Sequence, residues 1–127
     1  MNGVEVIKTS LVDDGSRASK ALIYNATMGN NKSLKDLVGD TINVTEFCLF
    51  NKEIKDTDTG EIIPTEIITL ISDQGAITTN SKTVIKSFEN ICSVFGDPSW
   101  KDEPLPIKII SGKTKENRTY MDITPAI

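Results

Sequence analysis

Between residues 40 and 123 the apolar pattern changes period twice, from strand-like alternation to helical spacing over 81–95 and back to alternation. Val84, Ile85, Phe88, Ile91, Cys92 and Phe95 fall at i, i+1, i+4, i+7, i+8 and i+11, one continuous helical stripe of the kind that packs a core. Asn80 or Ser81 can cap its start, and Gly96 ends it. Three strands, a helix and two further strands is the element order of a five-stranded OB-fold-like barrel, an all-β fold with one helix between strands three and four. The helix should then close the bottom of the barrel.

The first strand, over 41–50, begins with Ile42 and Val44 on one face. Strict alternation would bury Glu46, so a bulge near Thr45 and Glu46 is expected, turning Phe47 and Leu49 inward and Phe50 outward. Asp56-Thr57-Asp58-Thr59-Gly60-Glu61 reads as a solvated hairpin turn, since it lacks the ligand spacing of a calcium loop. The strand over 62–72 is apolar on nearly both faces, and Pro64 places its beginning at an edge. Asp73-Gln74-Gly75 turns the chain into a short strand over 76–79. After the helix, Asp97-Pro98-Ser99-Trp100 opens a polar linker in which Trp100 plugs the barrel rim or, alternatively, stacks on a ligand. In the last hairpin Ile107 and Ile109 alternate with Lys108, while Met121 and Ile123 alternate with Tyr120 and Asp122, so Lys108 and Tyr120 point outward together.

Residues 1–32 read as an N-terminal extension to an OB-like domain over 33–127. Val4-Glu5-Val6-Ile7 and Lys20-Ala21-Leu22-Ile23-Tyr24, separated by Asp13-Asp14-Gly15-Ser16, suggest a β-hairpin or an arm. Ser33-Leu34-Lys35-Asp36 resembles a capping-box start, giving one short helical turn that stops at Gly39.

At 127 residues with 38% hydrophobic and 25% charged content, the chain can bury a single core, and no apolar run approaches the length of a membrane span. Met1-Asn2-Gly3-Val4-Glu5-Val6 has neither the basic start nor the apolar middle of a signal peptide, so a cytoplasmic address is expected and Cys48 and Cys92 should be reduced, buried thiols. There is no His, which removes the Ser–His and Cys–His nucleophile pairs and the usual neutral-pH acid–base group. No catalytic residue, metal site or cofactor is expected.

Net charge is −4, but it is unevenly placed. From Asp40 to Asp73, eight acids face only Lys52 and Lys55, whereas from Lys108 to Arg118 four cations face Glu116 alone. Gly112-Lys113-Thr114 mimics the end of a phosphate-binding P-loop, but it leads into a strand and Ile107 stands where the first Gly is required. It reads better as part of a basic loop tip. In OB barrels the loops joining the first two and last two strands flank a binding cleft. Here those loops carry Lys52 and Lys55, then Lys113, Lys115 and Arg118, with Lys108 on the adjoining strand. Phe50 and Tyr120 are the candidate stacking rings beside them.

The ordered set Ser33-Leu34-Lys35-Asp36-Leu37-Val38-Gly39, Thr59-Gly60-Glu61, Asp73-Gln74-Gly75, Thr79-Asn80-Ser81, Phe95-Gly96, Pro106-Ile107-Lys108 and Arg118-Thr119-Tyr120 resembles the phage-encoded single-stranded DNA-binding proteins of protein-primed Bacillus-type phages and related prophages. The resemblance implies an OB-like fold and sequence-independent coating of displaced strands during phage DNA replication in the host cytoplasm. It also implies contact through tyrosines and basic residues, which maps onto Tyr120, Arg118 and the neighbouring lysines. Single-stranded DNA is the expected partner, with replication proteins as further candidates and no membrane. The alternative is an OB-type interaction module, or adaptor, that binds no nucleic acid and meets a basic protein through the acidic first hairpin.

Overall fold

The computed structural model describes residues 4–12, 14–29, 31–96 and 100–127. Residues 1–3 at the N-terminus, Asp13 in the expected turn and Asp97-Pro98-Ser99 in the expected linker lie outside that description. The chain runs β1 (Val4–Thr9), α1 (Arg17–Met28), β2 (Lys32–Ser33), a 3-10 turn (Leu34–Leu37), β3 (Thr41–Lys55), β4 (Ile62–Ser72), β5 (Gly75–Thr79), α2 (Lys82–Phe95), β6 (Leu105–Lys113) and β7 (Thr119–Pro125). The fold is mostly β: a curled, half-barrel sheet with two helices. From β3 onward the element order follows the change of apolar period.

The sheet holds seven strands instead of five, in the order β2-β5-β4-β3-β6-β7 with β1 added on β3. Among the described residues, its path ends at β2 and β7, which do not pair with each other. Lys32 and Ser33 lie parallel to Ile77 and Thr78, so the outer edge of β5 is taken by the last residue of the expected extension and the first of the expected helical turn. Ser33 accordingly makes no side-chain cap to the 3-10 turn. Leu34, fully buried, anchors that turn in the core.

β3 organises everything else. Its register with β4 slips between Val44 and Glu46, which is the expected bulge. Ile42 and Val44 before the bulge and Phe47 and Leu49 after it all reach the main core with Leu70, Ile77, Phe88, Ile107 and Ile123. Glu46 is turned away from that core and, although buried, meets Lys101 Nζ at 3.0 Å. α2 caps the core as its stripe requires: Ser81 Oγ accepts from Val84 N, and Val84, Ile85, Phe88 and Ile91 are buried. Phe88 packs against Phe47 with ring centroids 5.2 Å apart and against Trp100 at 6.2 Å, so Trp100 is a plug. Among the described residues, no helix is long and apolar enough to cross a membrane.

The N-terminal expectation needs correcting. β1 is a strand, but 20–24 lies inside α1 and is not a second strand. The apolar residues of this segment suit either period over so short a run, and the cap decides between them: Ser16 Oγ accepts from Ser19 N at 3.1 Å. Asp14 Oδ1 accepts from Ser16 N at 2.8 Å and Ser19 Oγ at 2.9 Å. These hydrogen bonds favour the carboxylate and hold Asp14 below its ordinary pKa. α1 then lies on the sheet face opposite the main core, where Ala26 joins Leu11, Cys48 and Phe50 in a second cluster. Thr69 Oγ1 ties it down by donating to the Ala26 carbonyl at 2.6 Å.

Cys48 is fully buried in that cluster, and burial pushes its thiol above the usual range, whereas Cys92 is half-buried at the other face of the sheet. Iodoacetamide should therefore alkylate Cys92 well before Cys48 in the native protein and both at similar rates in urea, read by mass spectrometry. Equal native rates would mean that α1 does not stay on the sheet.

Candidate nucleic-acid interface

β6 pairs with β3 only over Leu105–Lys108, with Thr41 opposite Lys108. Two more backbone bonds, Gly39 N to Ile109 O and Ile109 N to Asp40 O, end the attachment. Beyond them β6 and β7 continue paired to each other as far as Lys113 and Thr119, forming a two-stranded arm whose residues 113–120 are all exposed. The tip is closed from within: Thr114 N donates to Arg118 O at 2.9 Å, and Asn117 N donates to Thr114 O at 2.9 Å. Arg118 N reaches Thr114 Oγ1 at 3.2 Å. Asn117 takes the left-handed backbone, φ 62°, that a tight reversal demands and that Asn tolerates.

Tyr120 stands opposite Gly112 in this ladder. A Cβ at Gly112 would lie 2.6 Å from Tyr120 Oη and 2.9 Å from Cε1, so the phenol ring rests on the glycine backbone and only Gly admits it there. In that seat Tyr120 remains 41% exposed. Alternation along β6 and β7 puts Lys108 and Tyr120 on the outer face, away from Ile107, Ile109 and Ile123, as expected. Lys113 turns to the other side of the arm, and Lys115 and Arg118 flank its tip.

The remaining sequence candidates go elsewhere. Phe50 does face outward from the main core, but that surface is covered, and Phe50 is 1% exposed beneath α1 beside Cys48 and Ala26. It offers no face to a base, a correction that sequence reasoning could not make while 20–24 read as a strand. Lys52 and Lys55 occupy the opposite end of β3, paired with Thr65 and Ile62. From Thr41 to Lys52 is about 36 Å along an extended strand, less as the sheet curls. Alternation turns Lys52 to the outer face with Phe50 and Lys55 to the inner one. Both sit in the acidic hairpin, whose 56–61 turn is the expected one: Asp56 Oδ1 accepts from Asp58 N at 2.7 Å and Thr59 N at 3.2 Å. Eight candidates thus resolve into one buried ring, two lysines in the acidic hairpin, and Lys108, Lys113, Lys115, Arg118 and Tyr120 along the basic arm.

Phe50→Ala should cost about 3–5 kcal/mol of stability in urea denaturation, because it empties a packed site. Tyr120→Ala should change stability by much less than that. Gly112→Ala must move the Tyr120 ring and should perturb oligonucleotide binding as Tyr120→Ala does; unchanged binding would detach the ring from the interface.

The family model for phage single-stranded DNA-binding proteins matches residues 1–124. No curated protein and no solved structure shows a significant match to the chain. The family match spans both the N-terminal segment that builds β1 and α1 and the basic arm, and the chain belongs to the phage single-stranded DNA-binding protein family.

Proposed function

We propose that the protein coats displaced single strands during phage DNA replication, binding without regard to sequence and without catalysing a reaction. Family membership supports single-stranded DNA as the partner. The observation that carries the reading is the arm itself: an exposed ring seated on Gly112, with Lys108 on the same face and Lys113, Lys115 and Arg118 toward the tip. A base can stack on the exposed ring of Tyr120, since every base has a π surface, and the cations neutralise phosphates. Neither contact reads sequence.

The overall charge of −4 does not oppose this, because the arm from Lys108 to Arg118 carries four cations against Glu116, while Glu53, Asp56, Asp58 and Glu61 lie in the hairpin at the other end of β3. Screening acts over about 8 Å at physiological salt, so a strand on the arm experiences the local positive field. We read the curled sheet as an OB-like barrel left open between β7 and β2, with the arm as a loop flanking its cleft. Lys52 extends the outer-face path, whereas Lys55 does not.

Titration with oligo-dT, followed by Trp100 fluorescence, tests the proposal. If Lys108, Lys113, Lys115 and Arg118 each neutralise a phosphate, log K against log salt should slope near −3, about 0.7 per contact on a single strand. Tyr120→Ala should weaken binding by about 1–3 kcal/mol. Affinity indifferent to both salt and Tyr120 would overturn the reading.

A further inference from the structure

Phe47, Phe50 and Phe88 are core residues and Trp100 packs on Phe88, so of the chain's seven aromatic residues only Tyr24, Phe95 and Tyr120 are substantially exposed. Phe95 ends α2 beside Trp100, Leu105 and Pro106. The two tyrosines share a different setting.

Tyr24, 59% exposed, projects from α1. Ser19, Ile23, Ala26 and Thr27 mark the side of α1 that faces the sheet. At about 100° per residue, Arg17, Ala21, Tyr24 and Met28 fall on the opposite side, with Lys20 flanking them. The helix sequence RASKALIYNATM has two cations and no acid. An exposed tyrosine one and two turns after two basic side chains, on a helix without carboxylates, is poorly explained by folding, which gains nothing from leaving that ring in water. It suits a polyanion with flat bases.

α1 also lies on the right face. It covers Cys48 and Phe50, which point away from the main core, and Lys108 and Tyr120 point away from that core on the same sheet. We infer that the solvent side of α1 is a second single-stranded nucleic-acid contact, in which Tyr24 stacks a base and Arg17 and Lys20 hold phosphates. A strand lying on the outer sheet surface would thus pass from the basic arm over β3 and β4 to the helix. The inference rests on the proposed DNA-binding function and deepens it: α1 removes Phe50 from the interface and supplies Tyr24 as the ring in its place.

The test uses the full chain and oligo-dT. Tyr24→Ala should weaken binding about 5- to 150-fold with an unchanged melting midpoint, and Tyr24→Phe should retain most of the affinity. With these two added contacts the unaltered protein's salt slope should steepen to about −4, and Arg17→Ala with Lys20→Ala should reduce the steepness by about 1.4, back toward the value of about −3 set by the arm alone. As a readout free of any variant, 5-iodouracil-substituted oligo-dT photocrosslinked to the unaltered protein should yield an adduct at Tyr24. Adducts at Tyr120 without Tyr24, or normal affinity in Tyr24→Ala, would overturn the inference while leaving the arm's role intact. Absence of oligo-dT binding by the unaltered protein would overturn both. A Tyr24→Ala variant that changed only self-association would make this helix face a protein interface and also overturn it.

Discussion

Satisfying both edges of β3 is the constraint from which the rest follows. This strand is 15 residues long, and every amide along it needs a partner if its middle is to be buried. β4 takes one edge from Val44 to Lys55. The other edge is shared: β6 pairs over 41–44, Trp100 N donates to Thr45 O at 2.9 Å, Ser10 N donates to Phe47 O at 3.1 Å, and β1 pairs over 48–52. Just past the bulge, on this same edge, Ser10 Oγ accepts from Phe47 N at 2.9 Å. Removing the N-terminal segment would leave half of that edge bare. Residues 4–10 are therefore part of the sheet's hydrogen bonding, whatever else they do.

That edge accounting has consequences for the surface. Docking β1 brings α1 over the outer face of β3 and β4, where Thr69 fixes it through the Ala26 carbonyl. One of the helix's last carbonyls is satisfied there. The same docking hides Phe50 and displays Tyr24, so one packing event exchanges one available ring for another.

Charge is separated along the same strand. The acidic hairpin extends beyond one end of β3, while the basic arm leaves β6 and β7 past the other. A chain that is acidic overall can thereby present a positive element, since the two fields are screened from each other over most of the strand's length. The arm is stiffened by its own bonds at Thr114 and by the seating of Tyr120 on Gly112, which limits the entropy lost when it engages a ligand.

Local pattern by itself determined α2, the bulge in β3, the turns at 56–61 and 73–75, and the outward pairing of Lys108 with Tyr120, because each depends on residues close in the chain or on a period of 2 or 3.6. It read 20–24 as a strand, since the four-residue apolar run from Ala21 to Tyr24 satisfies both periods and the deciding cap lies upstream at Asp14 and Ser16. It also could not say which outward-facing ring remains exposed, because alternation reports which side of a sheet a residue occupies and not what covers that side. Only the tertiary structure decided that: the burial of Phe50, the exposure of Tyr24 and the distance of Lys52 and Lys55 from the arm are set by contacts between segments far apart in sequence.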